Sequence, residues 1–124
     1  FWTAKPWLPV PDGHLLRAVD VQEGDAASLL NHYRTVLRLR RASPALVGGS
    51  IAFLDTSRDV LAFLREAEGE RVLCAFNFGK RKASLKAPGA VLEPLGAGAA
   101  SEGVTARGAA ISLPPLGWVL ARLG

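Results

Sequence analysis

The chain has 124 residues, a net charge of +4 and 49% hydrophobic side chains, which suits one ordinary domain or a small domain with part of another attached. It contains no run of about 18 apolar residues that could cross a bilayer, and its single cysteine, Cys74, excludes an internal disulfide. It contains no methionine, so the chain is expected to continue upstream of Phe1.

Residues 1–24 show no helical period and carry Pro6, Pro9, Pro11 and Gly13. They read as an irregular loop with a short extended piece around "LLRAVDV". A loop this long, with Phe1, Trp2 and Trp7 in it, is either functional or packed on something. Residues 25–42 read as one amphipathic helix. Asp25 offers an N-cap, and the alanines after it favour the first turn. Leu29, Leu30, Tyr33, Val36 and Leu37 recur at the spacing of one buried stripe, with Arg34, Arg38 and Arg41 on the other side. "SP" at 43–44 stops the helix, because the residue before a proline is pushed out of the α region.

Residues 50–124 change character. "VLAFLR" (60–65) and "RVLCAFNF" (71–78) are β-type runs joined by the polar turn "EAEGE", a hairpin. Short strands are expected at 83–87, 90–95, 109–113 and 118–123, and "KRK" at 80–82 reads as a hairpin turn. Strands at this spacing predict an antiparallel sandwich, so the fold class is mainly β with one amphipathic helix ahead of it. "GAGAASEGVTARGAA" gives only weak strand signals. The helix's apolar stripe and the indole-rich leader want a partner surface that a small β-module supplies only in part.

Chemistry-bearing residues are sparse. Cys74 lies in an apolar run and reads as a buried small side chain; one unpaired thiol leans towards a reducing cytoplasm. Asp55 and Asp59 in "LDTSRDV" read as turn residues. His32 is read as a packing or supporting residue on the helix, and His14 has no metal-ligand partner at a useful spacing, so no metal and no cofactor is expected. There is no phosphate-binding glycine loop and no nucleophile elbow. The basic clusters 34–41 and 80–82 read as a solvated helix face and a turn. Phe76 and Phe78 beside the second cluster read as core-facing, so no nucleic-acid partner and no membrane partner is expected.

The order "FxxxKPWLPV", then "VxxxDxxSLLNHYRxVLxLRRxxPAL", then "VLAFLR" and "VLCAFNF", resembles the C-terminal part of bacterial α-glucosidases, in the oligo-1,6-glucosidase branch of the α-amylase superfamily of retaining glycoside hydrolases. The closing "LPPLGWVLARL" resembles that family's last strand. The loop "PDGHLLRAV" departs from it, with Pro11, Gly13 and Ala18 where asparagines are usual. The resemblance implies that residues 1–49 are the tail of a catalytic (β/α)8 barrel, with 25–42 as its last helix. Residues 50–124 would then be a C-terminal β-sandwich. It implies an upstream barrel as partner and an oligosaccharide as the parent's substrate. Trp2, Lys5 and Trp7 are the candidates for the rim of the parent's sugar site. Trp118 opens the final strand and should pack inward.

Retaining hydrolysis needs a nucleophilic carboxylate and an acid/base carboxyl about 5–5.5 Å apart. The family's histidine–aspartate pair and glycine–phenylalanine–arginine stretch do not occur here, so no catalytic residue is assigned and the chain alone is expected to be inactive. Two other readings remain open. A stand-alone carbohydrate-binding β-module would have exposed aromatics along one face of the sandwich. An interaction or nucleic-acid module using the basic helix would bind polyanions in a salt-sensitive way.

Overall fold

The computed structural model describes residues 7–124 and divides the chain into two compact units, Phe1–Thr35 and Val36–Gly124. In the first unit, where an irregular loop was expected, two short helices form: α1 (Asp12–Leu15) and α2 (Val19–Glu23). Each follows an extended residue, Pro11 (φ −61°, ψ 145°) and Ala18 (φ −64°, ψ 150°), and each has an aspartate in its first turn, Asp12 and Asp20. A carboxylate there suits the positive end of a helix. One turn of helix is too short to show a period, so pattern reading misses it.

The long helix α3 (Leu29–Ala42) starts four residues later than its sequence predicts. The Asp25 carboxylate accepts the Ala27 N–H at 2.9 Å, which closes a turn before the helix and does not cap it. Ser28 Oγ instead accepts the Asn31 N–H at 3.3 Å and donates to the Gln22 carbonyl at 2.7 Å. Asn31 Nδ2 donates to the carbonyls of Gln22 and Asp25 at 3.0 and 2.8 Å. Gln22 Oε1 accepts the Leu30 N–H at 3.1 Å. The corner between α2 and α3 is thus tied by polar side chains. Arg40 and Arg41 occupy the last turn of α3, where cations favour the negative helix end.

Ser43 ends α3 as the proline rule requires, in an extended conformation (φ −113°, ψ 109°). It then caps a new helix, α4 (Pro44–Gly48), by accepting the Leu46 N–H at 3.2 Å. Pro44 fits the first helical position, where no N–H is needed. Glu70 closes this cap from the sheet: its Oε2 accepts the Ser43 hydroxyl at 2.6 Å and the Ala45 N–H at 3.1 Å.

The rest of the second unit is an antiparallel sandwich, as the strand spacing predicts. The strands are β1 (Ser50–Phe53), β2 (Val60–Ala67), β3 (Glu70–Asn77), β4 (Ala83–Lys86), β5 (Val91–Pro94), β6 (Thr105–Arg107), β7 (Ala110–Leu113) and β8 (Trp118–Leu123). One sheet has the order β1-β2-β3-β8-β5 and the other β4-β7-β6. The expected hairpin is β2–β3, closed by Glu68 (φ 52°) and Gly69 (φ 79°). Two successive positive φ values match the right-handed twist of the strands they join. β1 and β6 have four and three residues, and the second sits in the small-residue stretch where the sequence signal was weak.

"KRK" at 80–82 is not a hairpin turn. It carries the chain from β3 in one sheet to β4 in the other. Asn77 fixes this crossover. Its Nδ2 donates to the carbonyls of Arg81 and Pro114, both at 2.8 Å, and its Oδ1 accepts the Gly79 N–H at 2.9 Å.

Between the sheets lie Val60, Ala62, Leu64, Leu73, Ala75, Ile111, Leu113, Val119, Ala121 and Leu123. Alternation along β3 sends Leu73, Ala75 and Asn77 inward and Val72, Cys74 and Phe76 to the opposite face. Phe76 is therefore not core-facing between the sheets, and Phe78 is exposed. Trp118 likewise packs on that outer face, among Val72, Cys74 and Leu120. The inner layer is already filled by aliphatic side chains from both sheets.

Cys74 is buried, as its apolar run predicts. Burial pushes its thiol from the ordinary 9.0 up to about 11, against the opposing pull of the Arg65 guanidinium. Between those values the unfolded chain has lost the proton while the folded chain keeps it, so stability falls as pH rises. Chemical unfolding of the wild type should lose up to about 1.4 kcal/mol per pH unit more than Cys74→Ala across that window. Equal slopes for the two proteins would refute a protonated buried thiol.

Candidate functional site

Of the three rim candidates, Trp2 and Lys5 lie outside the described residues. Trp7 sits in a bend before α1 and is 90% exposed. Residues 7–35 as a whole bury almost nothing: Ser28 is the one buried residue among them. Leu8, Val10, Leu15, Leu16, Val19 and Val21 are all exposed, Leu16 at 75%. On α3, Leu29, Tyr33 and Leu37 are exposed, while Leu30 and Val36 are half-buried. The stripe expected to be buried is thus largely uncovered, although its spacing is helical. An ordinary surface scatters single apolar side chains and does not line them up in this way.

The polar candidates do not converge. His14 lies on α1 and His32 on α3, both exposed. Asp55 and Asp59 flank the turn between β1 and β2, where the Val60 N–H donates to the Ser57 carbonyl at 2.9 Å. Among the described residues, no group of three or more His, Cys, Asp or Glu is placed to hold a metal ion.

A cleft of about 480 Å³ is lined by Pro44, Glu68, Glu70, Arg71 and Arg122 among others. Both of its arginines are paired: Arg71 with Glu66 at 2.7 Å, and Arg122 with Glu93 at 3.3 Å and Glu70 at 3.6 Å. Glu70 is further held by the α4 cap.

The basic residues of α3 are solvent-facing, and Arg34 pairs with Glu23 at 2.7 Å. No helix among the described residues is long and apolar enough to cross a membrane.

The feature that sequence reading missed is the outer face of the five-stranded sheet. Phe53 on β1, Phe63 on β2, and Phe76 and Phe78 at the end of β3 form a continuous row. Successive ring centroids lie 5.8, 6.2 and 6.5 Å apart. Register puts them on one face: Phe53 pairs with Phe63, and Leu61 pairs with Phe76. One end of this face is covered by α4, Leu39 and the segment around Leu95 and Ala99. The other end is open, with Phe53 69% and Phe78 66% exposed. The alternation of Ile51 and Phe53 is the available signal, and the sequence reading placed no strand there.

Residues 51–120, more than half of the chain, match the family described as Maltogenic Amylase, C-terminal domain. Over 124 residues the chain is 45% identical to a probable alpha-glucosidase of Rhizobium meliloti (strain 1021), covering 99% of this chain and 22% of the relative. A probable oligo-1,6-glucosidase 2 of Bacillus subtilis (strain 168) is 29% identical over 89 residues, covering 71% of this chain and 16% of the relative. Among solved structures, the alpha-glucosyl transfer enzyme XgtA superposes with a TM-score of 0.80 at 40% identity, covering 97% of this chain and 22% of that one. The trehalulose synthase MutB from Pseudomonas mesoacidophila MX-45 gives 0.80 at 29%, covering 98% and 22%. The chain thus spans about a fifth of the length of the proteins it matches. With its antiparallel sandwich and this match, the chain belongs to the Maltogenic Amylase, C-terminal domain family and resembles the C-terminal part of α-glucosidases of the α-amylase superfamily.

Proposed function

We propose that this chain is the C-terminal portion of an α-glucosidase that hydrolyses short maltose- or isomaltose-type oligosaccharides with retention, and that the portion is structural. Residues 1–49 close the catalytic barrel, α3 serves as its last helix, and 50–124 cover it. The carboxylates that act on the sugar belong to the upstream part. Trp2, Lys5 and Trp7 stand at the rim of the parent's sugar site. The reduced, buried Cys74 fits a cytoplasmic enzyme.

The observation that carries this reading is the lack of a core among the first unit's described residues: a row of large apolar side chains is exposed, and of residues 7–35 Ser28 alone is buried. Polar ties such as Asn31 to Gln22 and Asp25 hold its corner. Net hydrogen bonds contribute only about 1 kcal/mol each, less than the ordering of the chain costs. An apolar body that covers this surface supplies the difference. Family membership and the 45% identity to a probable alpha-glucosidase support an α-glucosidase barrel as that body.

The test is a graft. Residues 1–124 replace the matching stretch of the Rhizobium meliloti relative, and hydrolysis of 4-nitrophenyl α-D-glucopyranoside is followed. The chimera should turn over and the isolated chain should not. Turnover by the isolated chain, or a soluble chimera with no turnover, overturns the reading.

The carbohydrate-binding alternative is favoured by one observation, the exposed aromatics on one face of the sandwich. Retention of the isolated chain on immobilised maltose or isomaltose is the result it requires.

A further inference from the structure

We infer that a pocket between the two sheets, at the side where β5 and β6 are the edge strands, binds a compact apolar molecule the size of a benzene ring. The pocket holds about 200 Å³ and lies wholly within the second unit. It opens from the inner face of the large sheet, opposite the aromatic row, and the inference does not depend on the enzyme reading above.

The pocket forms where side-chain volume runs out. Among β2, β3 and β7 the inter-sheet layer is filled by Leu64, Leu73 and Leu113. Beyond that filled part, Ala100, Ala106 and Ala121 face the space where larger side chains would close it. The floor is Ile111, Val119 and Ala121, only 2%, 3% and 0% exposed. Val91, Ala100 and Val104 are half-buried walls, and the exposed Pro94 and Ala106 stand at the mouth. Interiors are packed with few spaces larger than a water molecule. A space of this size, with a buried floor and an open mouth, has the form of a binding pocket and not of a packing gap.

Its polar groups select the ligand's chemistry, because they are already engaged. Ser101 is the one lining residue with a polar side chain. Its Oγ accepts the Trp118 N–H at 2.9 Å and donates to the Trp118 carbonyl at 3.3 Å. The main chain around the pocket is paired as well. The Ser101 N–H donates to the Trp118 carbonyl at 2.9 Å, the Leu120 N–H to the Ala99 carbonyl at 2.7 Å, and the Val91 N–H to the Gly108 carbonyl at 2.8 Å. Among the described residues, none that lines the pocket is charged. An ionised group entering it would be left unpaired, and a sugar hydroxyl or a water would lose more hydrogen bonds than it gains. Apolar cavities of about 150 Å³ stay dry and take up benzene or xenon, so the volume suits a single apolar ring.

The experiment titrates benzene into the 124-residue chain and into the Rhizobium graft, with isoleucine δ1 methyl groups isotope-labelled for NMR. The chain has two isoleucines, Ile111 in the pocket floor and Ile51 exposed on β1, and Ile111→Val identifies the first signal. In both proteins the Ile111 methyl should shift along a saturating curve, and in the chain Ile51 should not follow that curve. Ala100→Leu and Ala106→Leu each put a larger side chain into the space, and each should raise the benzene dissociation constant about tenfold or more. Ala106 lies on an exposed edge strand, so its variant stays folded where Ala100→Leu does not. Glucose at the same concentrations should leave Ile111 in place. A linear or absent response of Ile111 overturns the inference, and so does unchanged benzene affinity in the folded variants. An equal response to glucose would mark a polar, wet pocket and overturn it too.

Discussion

Leu73→Ala is expected to lower the stability of the sandwich by about 2–5 kcal/mol, the range for truncating a fully buried leucine. Leu73 is 0% exposed, at the centre of β3, which is itself the middle strand of the larger sheet. It pairs with Leu64 on one side and Ala121 on the other, and shares the inter-sheet layer with Ile111 and Leu113. Those neighbours stand on two different sheets tied by crossovers, so they cannot close the gap without moving backbone. A small domain has about 5–15 kcal/mol in total, so the variant keeps only a fraction of its margin. Urea unfolding followed by far-UV circular dichroism measures the loss. A change under about 1 kcal/mol would mean that the sheets collapse freely onto one another and are not held in register.

Asn77→Leu is the second large effect, and its cause is different. Leucine is close in volume, so packing between the sheets is largely kept. What disappears is one donor group serving the Arg81 and Pro114 carbonyls and one acceptor serving the Gly79 N–H. Asn77 is itself 2% exposed, and of its partners Gly79 and Pro114 are half-buried while Arg81 is exposed. Each buried polar group left without a partner costs about 1–3 kcal/mol, so a loss of roughly 3 kcal/mol is expected overall. Asn77→Asp offers a discriminating comparison. It keeps the acceptor for Gly79 but points a carboxylate at two carbonyls, so it should be at least as damaging as leucine. If Asn77→Asp proved as stable as wild type, the side chain would not be holding the crossover.

The two effects show where pattern and packing part company. The hairpin of β2 and β3 was legible because "VLAFLR" and "RVLCAFNF" are strong β runs around a glycine turn, and local chemistry is enough to close a two-residue connection. Asn77 was not legible as a structural residue. Its partners lie four and 37 residues further along the chain, and only the fold brings those carbonyls to one amide. Glu70 is a similar case: in sequence it ends a turn, yet it caps a helix that begins at Pro44.

The aromatic residues gave the sharpest difference. Alternation along a strand says that Phe76 and Phe78 share a side, but it does not say which side faces the second sheet. Both faces of β3 are lined by apolar residues, and the aliphatic side is the one that packs between the sheets. The phenylalanines were left outside, in line with Phe63 and Phe53 from strands that the sequence presented separately. The helix shows the converse. The period of Leu29, Tyr33 and Leu37 is right and α3 forms, but periodicity describes a stripe and carries no information on whether anything lies against it.

The sequence by itself determined the long helix followed by an antiparallel sandwich, the β2–β3 hairpin, the helix stop at Ser43, the buried thiol and the resemblance to α-glucosidases, because each is written in neighbouring residues or in the order of motifs along the chain. Only the tertiary structure decided which face of the large sheet meets its partner sheet, which carbonyls Asn77 serves and which apolar surfaces stay open. Those depend on distances between residues far apart in the chain, and burial is a property of what arrives on the other side.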